Sequence, residues 1–272
     1  MARAYLDTSI LADVLLKPGT QAARRAQDAL SSFEGADVHG YAIKELKAGP
    51  LKNFAWMHNK LVIGRSYVQA LTALQAMSLT PRRYTTATAI EALRNAARAV
   101  ANETPASLGE QYGRDARIDA ILADRFRLAI SARVLTAWKK RYRLAQSVYP
   151  LACYTEAAPF KDNYGFLQVK PTECNPKPDC CMGPDLRLGR DKLRLLREAV
   201  IRHGRGGRED QRKTRTLKEI LKKDVPVTEK MCRALGDVVF AFFAPQASII
   251  LTTNERDHSI LALALGKKIK TP

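Results

Sequence analysis

Residues 247–268 read ASIILTTNERDHSILALALGKK, and the interpretation of this stretch decides the fold. Ser248 to Leu251 form a short apolar run, rich in Ile and followed by Thr252-Thr253, with the length and composition of a buried strand. A polar tip comes next, Asn254-Glu255-Arg256-Asp257-His258. An apolar helical stretch over 260–265 then closes on Gly266, placed as a C-cap with lysines behind it. Strand, acidic tip and helix in that order describe a site at the carboxyl end of a parallel strand, where open α/β sheets place their ligands. A little upstream, Leu235-Gly236-Asp237-Val238-Val239 sets a second carboxylate at the start of another helix. At the opposite end of the chain, Ala4-Tyr5-Leu6-Asp7-Thr8-Ser9 ends an apolar strand on a third.

The 272 residues are enough to bury a full core, as one large domain or two. With 45 Lys and Arg against 27 Asp and Glu, the chain carries a formal charge of +18 and calls for a polyanionic partner, nucleic acid first and a membrane surface second. No apolar run approaches the roughly 20 residues needed to span a bilayer. Met1-Ala2-Arg3 leads directly into a strand containing an aspartate, unlike a signal peptide. Five cysteines, an odd number, fit a reducing cytoplasm better than a disulfide framework.

Between the two ends the character of the chain changes. Helices are expected over 9–16 and 20–33, a short strand over 38–41, and a helix from 42 carrying Glu45 that Gly49-Pro50 interrupts. Long helices are expected over 56–77, over the Ala-rich 86–101, and over 116–146, whose second half is basic through Lys139-Lys140-Arg141. Residues 105–113 read as a loop, and 150–184 as an irregular stretch holding four of the cysteines. Basic helices follow over 186–203 and 214–223, joined by the cationic loop Gly204-Arg205-Gly206-Gly207-Arg208. From Val225-Pro226 the compact α/β pattern returns, with Thr228 as N-cap of a helix over Glu229–Leu235. The expectation is an α/β domain built from 1–53 and 225–272, interrupted by an all-helical basic insert over 54–224.

YLDTSIL at the N-terminus, a helix carrying Glu45, and the run VTEKMCRALGDVVFAFFAPQASIILTTNERDHSILALALGK resemble, in that order, the PIN-domain ribonucleases. The resemblance covers the two ends of the chain, and its C-terminal part is the more specific. It implies a three-layer α/β/α fold on a parallel sheet, and an acidic site holding Mg²⁺ or Mn²⁺. Matched by position, that site is Asp7, Glu45, Asp237 and Asn254, with Asp257 beside the last; Asp7, Glu45, Asp237 and Asp257 are the implied metal ligands. Hard divalent cations prefer such oxygen donors, and a bound ion activates water against a phosphodiester. The implied activity is cleavage of RNA, with a toxin or defence role, an inhibitory antitoxin partner and homodimerisation as further features of the family. Asn254 stands where many members carry Asp, so Asp257 is expected to supply the missing charge. His258 stands at a position that is often aromatic, which suits a packing or surface role.

Each of these residues also has a plainer interpretation. Asp7 and Asp237 suit helix N-caps, and Asp257 suits the first turn of a helix. Asp119 and Asp124 mimic the late aspartate pattern, but no strand and tip follow, so pairing with neighbouring arginines is expected. Cys153, Cys174, Cys180 and Cys181 lack the C-x₂-C spacing of a zinc site, and free thiols are expected. For nucleic acid, the expected contacts are Arg187, Arg190, Arg194, Arg197, Arg202, Arg205, Arg208, Arg212, Lys213 and Arg215, with Lys139, Lys140 and Arg141 as a second patch. Without a base-reading motif these imply contact with the phosphate backbone. The rival functions are a non-catalytic RNA-binding or assembly protein on a degenerate nuclease fold, a nuclease directed at DNA and, more distantly, a transcriptional regulator, for which the helical insert shows no clear helix–turn–helix signature.

Overall fold

The computed structural model describes residues 2–78, 114–149, 157–170, 180–222 and 225–272. Among them the chain divides into two compact units. The first comprises Met1–Lys44, Arg141–Glu156 and Thr172–Pro272; the second comprises Glu45–Lys140 and Ala157–Pro171. The basic stretch over 187–222, read in the sequence as part of an insert, thus belongs with the sheet.

The first unit is α/β. Its five strands, β1 (Ala4–Leu6), β2 (Ala36–His39), β3 (Ser147–Tyr149), β6 (Ile249–Leu251) and β7 (Lys268–Lys270), lie in the order β3-β2-β1-β6-β7. Every pairing is parallel, with Leu6 opposite Val38 on one side and Leu251 on the other. Central strands of a parallel sheet are covered on both faces, so they read as unbroken apolar runs. Ala4, Tyr5 and Leu6 have no exposed surface. Both chain ends therefore meet at β1 and β6, and the carboxyl ends of these two strands deliver Asp7 and the 252–258 tip to the same edge. Strands β3 and β7 are additions to the sequence expectation. β3 is exposed along its length, and in β7 the lysines at 268 and 270 flank a half-buried Ile269. Edge strands rich in charge carry little hydrophobic signal.

Around this sheet run α1 (Thr8–Leu16), α2 (Gln21–Ser31), α3 (Gly40–Leu46), α7 (Gly183–Leu188), α8 (Arg190–His203), α9 (Arg208–Ile220), α10 (Glu229–Leu235), α11 (Asp237–Phe243) and α12 (Glu255–Ala264). The single helix expected over 186–203 is two, parted at Gly189, where a Cβ would come within 2.3 Å of the Phe242 ring. Only glycine permits that approach, and the helix restarts after it. The helix expected over 214–223 begins earlier and spans Arg208–Ile220. Lys267 is buried and donates from Nζ to the carbonyl of Ala241, 2.7 Å away, and to that of Ala244, closing the end of α11. Burial and nearby Lys192 push its ammonium down to about 8.

The second unit contains a π turn (Lys47–Leu51), α4 (Lys52–Gly64), α5 (Tyr67–Ser78), α6 (Arg114–Lys140) and the hairpin β4 (Phe160–Lys161) with β5 (Leu167–Gln168). Gly49-Pro50 does not interrupt the chain's helical course as expected. Pro50 sits in the π turn, whose i→i+5 bonding departs from the regular α-helical ladder that a proline would break. The helix expected over 56–77 is instead broken at Arg65, which adopts the left-handed φ of 46° and caps α4. Tyr67 of α5 stacks on Phe126 of α6 with centroids 4.9 Å apart. The side chain of Asn59 on α4 holds both backbone groups of Leu167, so the hairpin is pinned to the helices. Asp119 and Asp124 sit on α6. Asp119 accepts from the Val68 N–H, whereas Asp124 makes the expected arginine pair, with Arg127 at 3.3 Å. The helix over 86–101 and the loop over 105–113 lie outside the described residues, as do Cys153 and Cys174. Cys180, Cys181 and Cys232 are thiols. Among the described residues no helix is long and apolar enough to cross a membrane.

His39 ends β2 and stacks on Phe243 with centroids 4.7 Å apart, while its Nδ1 accepts from the Tyr41 N–H at the start of α3. Burial lowers the imidazole from 6.5 to about 4, and the accepted hydrogen bond requires an unprotonated Nδ1. The unfolded chain binds the proton more readily, so stability is complete above pH 6.5 and is lost as pH falls toward 4. The loss amounts to about 3 kcal/mol. Urea unfolding between pH 7 and 4.5 is expected to show this decline in the wild type. A His39→Asn variant, which keeps an acceptor without the titration, is expected to show a clearly shallower one.

Candidate active site

Asp7 follows β1 directly and forms the N-cap of α1. Its Oδ1 accepts from the Thr8 N–H at 2.7 Å. Its Oδ2 accepts from the Ser9 hydroxyl at 2.6 Å and the Thr252 hydroxyl at 2.8 Å. Only 5% of the residue is exposed, so these donors replace the water that a carboxylate requires. The plainer expectation for Asp7, a helix N-cap, is therefore met. Thr252, at the end of β6, ties the two halves of the sheet together at this point. Its hydroxyl also accepts from the Asn254 N–H at 2.9 Å, and the Thr253 N–H donates to Ser9 Oγ at 3.0 Å.

Asp237 is the first residue of α11, and the turn that delivers it is made by Gly236 at φ 49° and ψ −120°. An L side chain is strained at that φ, so glycine is required for α10 and α11 to meet at this angle. Between Asp7 and Asp237 lies His258 of α12, completely buried. Its Nε2 stands 3.4 Å from Asp237 Oδ1 and 3.7 Å from Asp7 Oδ2, and neither ring nitrogen has the alignment of a hydrogen bond. The ring edge packs on Phe240, centroids 5.7 Å apart. The expected packing role is met, but the nitrogen between two carboxylates goes beyond it.

The other oxygen of Asp237 is taken by Lys213 of α9, whose Nζ donates at 2.8 Å and also lies 3.2 Å from Glu209. Lys213, expected to face nucleic acid, is instead buried, and its contacts with Asp237 and Glu209 offset the cost of taking the ammonium out of water. Burial opposes its charge, yet Asp237 and Glu209 outweigh that and hold the ammonium above the usual lysine range. Burial likewise pushes the Asp237 carboxyl up, but His258 and Lys213 pull it below the usual carboxylate range on balance. A lowered carboxyl contributes stability above its unfolded value of 3.8, and the contribution is lost as pH falls through the folded value.

The remaining expected residues are divided between the two units. Asn254 donates from Nδ2 to Asp257 Oδ2 at 2.9 Å, so these two partner each other next to the cluster. Asp257 lines a cavity of about 240 Å³ together with Arg205, Arg208, Glu209, Lys213 and Arg256. Glu45 is half-buried at the end of α3 and belongs to the second unit. Of the basic residues, Arg205, Arg208, Arg212 and Arg215 are exposed around the start and outer face of α9. Arg194 and Arg202 are exposed on α8 but paired, with Asp191 at 2.7 Å and Glu198 at 2.9 Å. Arg190 donates to the Leu221 carbonyl. Arg187 and Arg197 are half-buried, as is Arg141 of the first unit. Lys139 and Lys140 are exposed at the end of α6 in the second unit.

The two carboxylates are oxygen donors of the kind a hard divalent cation takes. Two carboxylates flank one imidazole nitrogen that has no hydrogen-bond partner. Among the described residues no three His, Cys, Asp or Glu side chains form a ready-made cage for an ion. Lys213 and His258 are the residues that sequence reasoning does not bring into the site. A signal for Lys213 is present in its spacing from Glu209, an i,i+4 pair on a helix, but nothing in the sequence joins either to Asp237. Compared with known proteins, the chain matches no family model, no curated protein and no solved structure.

Replacing Thr252 with Val removes a buried donor to Asp7 at nearly constant shape. The expected loss is about 1–2 kcal/mol of unfolding free energy, read by urea denaturation. Ser9→Ala is expected to cost a similar amount, and the double variant to depart from the sum because both donors serve one oxygen.

Proposed function

We propose that the first unit is a metal-dependent endoribonuclease of the PIN type, with Asp7 and Asp237 holding Mg²⁺ or Mn²⁺ and Asp257 standing next to them. The observation that carries this reading is the convergence of Asp7 Oδ2 and Asp237 Oδ1 on a single imidazole nitrogen at the carboxyl ends of β1 and β6. When bound, the ion would supply a polarised water and stabilise charge on a phosphodiester under attack. The chain's own residues do the rest. Ser9 and Thr252 fix the orientation of Asp7, and Gly236 fixes that of Asp237. Arg205, Arg208, Arg212 and Arg215 offer exposed guanidinium groups to a phosphate backbone, which gives affinity without base readout. Glu45, which the resemblance alone assigns, lies in the second unit. A role as a toxin held by an inhibitory partner belongs to the same reading.

One observation favours a second reading. All four carboxylate oxygens of Asp7 and Asp237 already face an N–H, a hydroxyl, an imidazole or an ammonium. A site so engaged also suits a protein that binds RNA without cutting it.

Total RNA incubated with Mn²⁺ or Mg²⁺ separates the two. Under the nuclease reading the wild type cleaves, EDTA stops it, and Asp7→Asn and Asp237→Asn lose about two to three orders of magnitude in rate. Equal RNA binding by all three proteins with no cleavage would establish the second reading. Preferential cutting of single-stranded or branched DNA in parallel reactions would move the substrate from RNA to DNA.

A further inference from the structure

Lys213 is an unusual neighbour for a metal-binding carboxylate. It is 5% exposed, while Glu209, one helical turn earlier on α9, has a side chain 74% exposed. The ammonium lies 2.8 Å from Asp237 Oδ2 and 3.2 Å from Glu209 Oε1, so it already touches two alternative partners. The other Asp237 oxygen faces His258, and the oxygens of Asp7 are taken by Thr8, Ser9 and Thr252. A dication placed on Asp237 Oδ2 would share that oxygen with a positive charge, and the two repel at such range. Lys213 and Glu209 both line the cavity beside the site, so the ammonium has space next to Glu209.

We infer that Lys213 is a built-in counter-cation of the acidic site, and that a divalent ion reaches Asp237 by displacing it onto Glu209. The inference rests on the assignment of Asp7 and Asp237 as ion-binding carboxylates. It explains how two carboxylates are kept near a buried imidazole in the folded chain before any ion arrives: the cation is supplied by α9. It also gives the segment carrying the exposed arginines a direct line to the site, because Arg205, Arg208 and Arg212 lie at the same helix start as Glu209 and Lys213. Phosphates gathered by those arginines would act on the helix that holds the counter-cation.

The test is Mn²⁺ binding to the metal-stripped full chain, monitored by titration calorimetry and by the electron paramagnetic resonance of free Mn²⁺. Lys213→Met is expected to bind Mn²⁺ at least about tenfold more tightly than the wild type, since it removes the competing charge. Glu209→Gln is expected to bind several-fold more weakly, since the displaced ammonium loses its second partner. Adding Asp237→Asn to both the wild type and the Lys213→Met variant should abolish the difference between them. Equal, measurable Mn²⁺ affinity in wild type and Lys213→Met overturns the inference and leaves the ion-binding assignment standing. No Mn²⁺ binding by either protein overturns both. Should Lys213→Met unfold without metal, the comparison is read as recovery of its thermal transition by Mn²⁺; absence of recovery counts against the inference.

Discussion

A carboxylate with almost no access to water must be satisfied by its surroundings, and at Asp7 the surroundings come from both ends of the chain. Thr8 and Ser9 follow it in sequence, whereas Thr252 arrives from the far side of the sheet. Desolvating an unpartnered carboxylate costs several kcal/mol, so this set of donors is a condition of folding as well as a feature of a site. It ties the β1–β6 register to the α1 cap: a slip of one residue would turn the Thr252 hydroxyl away and leave Asp7 buried and short of a donor. Asp237 meets the same constraint differently, through the charge of Lys213.

The two solutions have different consequences. Hydroxyl donors are neutral and add no counter-charge beside Asp7. An ammonium donor cancels the charge of Asp237 locally. The cluster therefore contains one carboxylate held by neutral donors and one held by an ammonium, with the His258 ring between them and a cavity alongside that is rimmed by both signs of charge. On this account α9 belongs to the acidic site as much as β1 and β6 do, although most of its charged residues are basic.

Much of this is legible in the sequence, and the reasons for the rest are physical. Residues 248–258 can be read because a buried parallel strand is apolar throughout and its polar tip is abrupt. Asp7 and Asp237 can be read because each sits at a boundary between apolar and helical patterns. Strands β3 and β7 cannot, since an exposed or lysine-flanked edge carries no such contrast. The breaks at Arg65 and Gly189 are hidden because amphipathic periodicity runs through them: one is a left-handed cap on a non-glycine, the other a close approach to Phe242 that only the fold creates. Lys213 escapes for a related reason. In a long run of cations, composition cannot single out the one that turns inward to a carboxylate contributed by another helix.

The interaction on which the site depends most is that between Lys213 and Asp237, and a double-mutant cycle addresses it directly. Unfolding free energies would be measured for the wild type, Lys213→Met, Asp237→Asn and the double variant at neutral pH. A buried, hydrogen-bonded pair predicts a coupling energy of about 2 kcal/mol or more, with the double variant more stable than either single one. A coupling energy within about 0.3 kcal/mol of zero would mean that Lys213 does not neutralise Asp237 in solution, and the pairing at the centre of the site would not stand.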